Sequence, residues 1–118
     1  MRIARASVPV LATMLEGDIP VVYGITAVRY EGGQLCQVMM GMLDPDSARW
    51  DVRPAPTRVV EVVDRLVEGD TVVPLFCTER GVLLAGPEVK VDVLAEGTET
   101  LALDFEAPGR RLSDLPRF

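Results

Sequence analysis

The chain moves from a two-residue hydrophobic period to a helical one and back again. From Val21 to Tyr30 it is rich in β-branched and aromatic residues, the composition of a strand. Glu31-Gly32-Gly33-Gln34 follows, and a glycine pair supplies the positive φ that a tight hairpin requires at both central positions. Leu35 to Leu43 is the expected return strand. Cys36, Val38, Met40 and Met42 share one face at period two, and Leu35, Gln37, Met39 and Gly41 share the other. Asp44 to Pro56 holds Pro45, Pro54 and Pro56 with Trp50 at its middle, and it reads as the longest loop. Thr57 to Glu68 is the expected helix. Thr57 is placed to cap it, and Val59, Val60, Val63, Leu66 and Val67 form an apolar stripe at spacings of three and four. Glu61 and Arg65 would pair across one turn, and Gly69 would end the helix in the left-handed region.

Strands resume at Thr71–Cys77, where Pro74 argues for an edge or a bulge. Thr78-Glu79-Arg80-Gly81 is a hairpin loop, and Val82–Ala85 is a short strand. Val89, Val91 and Val93 alternate with Lys90 and Asp92, and Leu101, Leu103 and Phe105 alternate with polar or small residues. Before all of these, residues 6–15 are apolar but broken by Pro9, an edge strand or arm. These elements predict one α+β domain over residues 1–118. It has a largely antiparallel sheet of five to seven strands, with a helix at 57–68 packed on one face. Residues 1–20 form an arm or edge strand, and residues 107–118 form a tail.

Composition narrows what such a domain can do. The 118 residues are 48% hydrophobic and 25% charged, which excludes a disordered chain and a collagen-like fibre. Two cysteines are too few for a disulfide scaffold. The net charge is −6. Arg2 and Arg5 at one end, and Arg110, Arg111 and Arg117 at the other, leave an acidic body between two basic ends. An acidic body repels phosphates, so no nucleic-acid partner is expected through it. No apolar run reaches the length of a membrane helix, and no membrane partner is expected. Ala6–Leu15 loosely resembles a signal peptide but lacks a small-x-small cleavage site, so a cytoplasmic location is expected.

Candidate chemistry is sparse. There is no histidine, hence no neutral-pH proton shuttle of the usual kind. Cys36 and Cys77 have neither CxxC spacing nor a histidine partner, so no zinc or Cys/His site is expected. Cys77, beside Thr78, Glu79 and Arg80, is the best nucleophile candidate but has no accompanying base. Asp44, Asp46 and Asp51 open like a calcium loop but lack its glycine at position six and glutamate at position twelve, and turn chemistry explains them. Glu61, Asp64 and Glu68 read as a solvated helix face. No catalytic residue, cofactor or metal is expected. Trp50, flanked by Arg49 and Arg53, is an anchor for a partner or a lid folded over the sheet edge. Arg110 and Arg111 are further partner-contact candidates. Leu112, Leu115 and Phe118 recur at spacing three and are expected to pin the tail to the body.

Several short stretches carry a resemblance. They are Ile25-Thr26-Ala27-Val28-Arg29, Glu31-Gly32-Gly33, the Val-rich helix ending at Gly69-Asp70, and the closing Leu112-x-x-Leu115-Pro116-x-Phe118. Over residues 24–118 the chain resembles a family of short bacterial proteins known as a domain of unknown function. That resemblance implies no activity and no catalytic residue.

The leading functional expectation is a non-enzymatic module that works through protein–protein contact as a homo-oligomer, its partner being itself or another protein. One alternative is an acidic immunity or anti-defence inhibitor of a basic enzyme. The other is a small-molecule binder with a pocket between helix and sheet. A packed helix–sheet interface would exclude that last reading, and a cavity lined by Met39, Met40, Met42 or Cys77 would support it.

Overall fold

The computed structural model describes residues 2–3, 21–44 and 49–118. The domain is α+β, and its described residues form eight strands and one α-helix. Strands β1 (Arg2–Ile3), β2 (Val22–Glu31), β3 (Gln34–Asp44), β4 (Arg49–Arg58), β5 (Thr71–Cys77) and β6 (Val82–Ala85) form one sheet in the order β1-β6-β5-β2-β3-β4. Strands β7 (Val89–Val93) and β8 (Glu99–Leu103) form a separate antiparallel hairpin. The main sheet is mixed. Hairpin-length connections make β2–β3, β3–β4 and β5–β6 antiparallel, whereas β2–β5 and β1–β6 are parallel. The parallel β2–β5 pair follows from helix α1 (Val59–Val67), which carries the chain from the β4 edge back past β3 and β2.

The turn at Gly32-Gly33 has φ of 58° and 80°, the positive values the glycine pair predicted. Two bulges then set which side chains face which way. Thr26 is the extra residue between the Ile25–Met40 and Ala27–Met39 pairs, and Cys36 is the extra residue between Arg29–Gln37 and Tyr30–Leu35. The second bulge removes Cys36 from the face shared by Val38 and Met40, and Leu35 packs against the core in its place.

The segment expected as the longest loop is in large part β4, a correction with a clear cause. Prolines are tolerated on an edge strand, so Pro54 and Pro56 mark the sheet's border rather than a loop. Residues 45–48, at the start of that segment, lie outside the described residues, and so does the arm or edge strand expected over residues 1–20 apart from Arg2–Ile3, which form β1. The helix is correspondingly shorter than 57–68. Thr57 belongs to β4 and donates its hydroxyl to the Ala55 carbonyl at 3.0 Å, while Arg58 holds the cap position with no side-chain cap bond. The buried stripe shifts with the start: Val62 and Val63 are buried, whereas Val60 and Val67 are exposed. Arg58–Glu61 and Arg65–Glu68, at 3.7 and 3.2 Å, replace the expected Glu61–Arg65 pair. Gly69 ends the helix as expected. Its φ is +96°, its N–H donates to Leu66 and the Asp70 N–H donates to Arg65, a Schellman closure.

Pro74 is neither at an edge nor exposed. It sits in a central strand where β5 changes partners: pairing with β2 ends at Ile25–Pro74, and pairing with β6 begins at Leu75–Ala85. A residue without an N–H is least costly at such a handover. Beyond it β2 loses β5 as a neighbour, and the C-terminal tail takes over. The Val28 N–H donates to the Pro116 carbonyl at 2.8 Å, and the Phe118 N–H donates to the Val28 carbonyl at 3.3 Å.

The core has two parts. On the face covered by α1, the β7–β8 hairpin and the tail, Ile25, Val28, Val38, Val62, Val72 and Phe76 pack with Leu101, Leu112 and Leu115. On the other face Val22, Leu43, Val73, Leu75 and Leu83 form a smaller cluster. Each fully buried aliphatic side chain contributes about 1.5–3 kcal/mol relative to exposure. Phe105, expected to continue β8, lies beyond its end and is exposed.

Candidate functional site

The helix does not close completely over the sheet. Between α1 and strands β2, β3 and β4 lies an open cleft of about 450 Å³. Its apolar surface comes from Met40 and Met42 of β3, Tyr23 of β2 and Val52 and Ala55 of β4. The alternation of β3 places Met40 and Met42 on one face, so the same pattern that builds the core supplies the cleft floor. Helix residues Glu61, Asp64 and Arg65 line the opposite wall, and Arg53 of β4 borders the same space.

The cleft depends on how close β4 comes to β3. Gly41 lets that strand approach: a Cβ there would lie 2.6 Å from the Val52 carbonyl oxygen and 2.8 Å from the Pro54 nitrogen. The bulges beside it offset β4 so that Val52 opposes Met42 and Ala55 opposes Met40. Tyr23 ties floor to wall by accepting a side-chain hydrogen bond from Arg65. Glu68 first, and that hydrogen bond second, hold the Arg65 guanidinium above its ordinary value.

The rim charges are not equivalent. Glu61 is engaged by Arg58, and Arg65 by Glu68. Neither Arg53 nor Asp64 has an ion-pair partner among the described residues. An apolar floor beneath a charged helix wall is chemically a surface that can take a molecule with an apolar part and a polar one. Met40 and Met42 add adaptability, because an unbranched thioether fits irregular shapes.

A second cavity, about 280 Å³, lies between the tip of the β2–β3 hairpin, the β7–β8 hairpin and the tail. Tyr30, Gln34, Asp92, Glu106, Arg111 and Ser113 contribute to it. Much of its polarity is internally satisfied: Gln34 donates to Glu96 at 3.0 Å, Asp92 accepts from the Val93 N–H at 2.9 Å, and Arg111 lies 3.8 Å from Glu106.

The five partner-contact candidates do not converge. Trp50 is half-buried on the face opposite α1, packed on the smaller cluster and lying over Gly24 and Gly41, which is the lid arrangement. Arg49 is exposed at the start of β4, and Arg53, also exposed, borders the cleft. Arg110 stacks over Phe76 at 5.5 Å, and Arg111 sits by Glu106. Leu112 and Leu115 are buried in the main core, Arg117 covers the Tyr30 ring at 4.6 Å, and so the tail is pinned to its own body.

Among the described residues no three His, Cys, Asp or Glu side chains gather as a metal site would require, and Asp46 lies outside them. No helix among the described residues is long and apolar enough to cross a membrane. Cys77 is exposed, its thiol donating only to the adjacent Thr78 carbonyl at 3.5 Å. The residues that sequence reasoning missed are Tyr23, Val52, Ala55, Asp64 and Arg65 as one lining. The signal was the helix-length spacing of Glu61, Asp64 and Arg65, which acquires meaning only once β4 is a strand facing them. No family model, no curated protein and no solved structure matches this chain.

Proposed function

We propose that this domain is a non-catalytic binding module that takes a small amphiphilic molecule in the cleft between α1 and the sheet. The observation that carries this reading is the 450 Å³ space with Met40 and Met42 at its floor. Ligand sites for small molecules are concave, mostly apolar and fitted with a few polar groups, and their usual volumes begin near about 300 Å³. Of the three functions the sequence suggests, this is the one that needs a cavity at the helix–sheet interface lined by these methionines. A cytoplasmic location is part of the proposal.

The test uses the ¹⁵N-labelled full chain and a panel of apolar amino acids, short fatty acids and small aromatic acids. At least one class is expected to shift the amides of residues 40–42, 52, 53, 55, 57 and 61–65 together. Ala55→Trp, which fills the cleft from an exposed position, is expected to abolish those shifts while leaving the rest of the spectrum intact. Shifts scattered elsewhere, or undiminished in the Ala55→Trp variant, would contradict the reading.

A second reading, self-association through protein contact, is supported by Val60 and Val67. They lie seven residues apart on one side of α1 and are 56% and 76% exposed. Light scattering tests it: a concentration-dependent dimer lost in Val67→Lys supports it, and a monomer at millimolar concentration rejects it.

A further inference from the structure

Resting on the cleft as the binding site, we infer that its ligand is a small acyl compound whose carbonyl or carboxylate oxygen accepts a hydrogen bond from the Tyr23 hydroxyl, with its apolar chain running across the sheet to Val52. The strand register sets out the floor. Tyr23 of β2 pairs with Met42 of β3, and Met42 pairs with Val52 of β4, so the three side chains form one row on one face of the sheet. Tyr23 is half-buried against the core cluster that α1 covers, whereas Val52 is 51% exposed at the sheet border. The row therefore has a phenol at its inner end and apolar side chains from there outward. At the inner end is a donor with nothing to donate to. The Tyr23 oxygen accepts from the Arg65 guanidinium, which fixes the two groups together where β2 meets α1. A phenol both accepts and donates, and the Tyr23 proton has no acceptor among the described residues. A hydroxyl that accepts from a cation is itself a stronger donor. An acyl oxygen uses that proton. An ammonium head, which has only donors, leaves the proton unused and meets the charge of Arg65 at the same point.

The test titrates the ¹⁵N-labelled full chain with hexanoate, hexanamide and hexylamine, which share a chain length and differ at the head. At least one of the two acyl probes is expected to move the amides of Tyr23, Met42, Val52 and Arg65 and to bind about threefold or more tighter than hexylamine. Comparing hexanoate with hexanamide tells whether the cleft takes a charged or a neutral acyl head. Tyr23→Phe keeps the ring and removes only the hydroxyl. It should weaken the acyl probe about three- to tenfold and leave hexylamine unchanged. Direction is read separately in the unsubstituted chain. Nuclear Overhauser contacts should join the probe's terminal methyl to Val52, and the protons beside its carbonyl to the Tyr23 ring. Three results would each sink the inference while leaving the cleft a binding site: hexylamine binding as tightly as both acyl probes, Tyr23→Phe keeping full acyl affinity, or the terminal methyl lying against Tyr23. If none of the three probes moves the cleft residues, the inference falls. If the amphiphile panel leaves them still as well, the binding reading falls with it.

Discussion

Gly41 shows how one residue sets the geometry of the site. Its missing side chain is what lets β4 lie close: a Cβ would meet the Val52 carbonyl oxygen, the Pro54 nitrogen and the Trp50 ring, all within 2.8 Å. Backbone atoms cannot step aside, so Gly41→Ala should cost about 1–3 kcal/mol by overpacking. At Gly24 the nearest atom is the end of the flexible Leu75 side chain, at 2.6 Å, and the cost of Gly24→Ala should be smaller. Urea denaturation followed by circular dichroism checks the order. Tyr30 carries the pH response at this scale. Burial is the main cause that raises its phenol above the ordinary value of 10.0; the Arg117 guanidinium over its ring opposes this, and Glu106 adds to it. Folding therefore holds the phenolic proton more tightly than the unfolded chain does. That contribution to stability is complete below the unfolded value and fades as pH climbs through the folded one. Arg117→Gln should move the Tyr30 titration further up and Glu106→Gln should move it down, read from the Tyr30 ring ¹³C shift.

At the scale of elements, the tail and the β4 edge do the most to close the fold. The tail supplies Leu112 and Leu115 to the main core and pairs with β2 where β5 has departed. Removing a buried leucine side chain costs about 2–5 kcal/mol, against a total of about 5–15 kcal/mol for a domain of ordinary stability. The double variant Leu112→Ala/Leu115→Ala should therefore be substantially unfolded at room temperature by circular dichroism. At β4, Pro54 and Pro56 leave two fewer N–H donors for another chain to pair with. Pro54→Val/Pro56→Thr should promote concentration-dependent association in light scattering. The strands β2, β3, β5 and β6 were legible from period-two patterning and the Gly32-Gly33 turn. The edge strand β4 was not, because the prolines that fit it there are the residues that usually signal a loop. The same boundary governs the helix. A cap at Thr57 would put the apolar stripe on Val60 and Val67, whereas the strand ending at Arg58 turns Val62 into the core.

At the scale of the whole molecule, function comes from an imperfect closure. Among the described residues α1, the β7–β8 hairpin and the tail cover one face of the sheet, and the gap between α1 and β4 is the cleft. The sequence carried half of that site. Met40 and Met42 stood out as a shared strand face, and Arg53 as a partner-contact candidate. The opposite wall was out of reach, since Asp64 and Arg65 resemble any solvated helix face until the crossover from β4 to β5 brings them over the sheet. The most direct test of the cleft labels the methionine methyl groups with ¹³C and titrates in the small amphiphile panel. Met40 and Met42 line the cleft and Met39 points to the other side of β3, so their methyl resonances should move while that of Met39 stays still. Equal movement of all three, or stationary Met40 and Met42 signals at saturating ligand, would contradict the assignment of this cleft as the binding site.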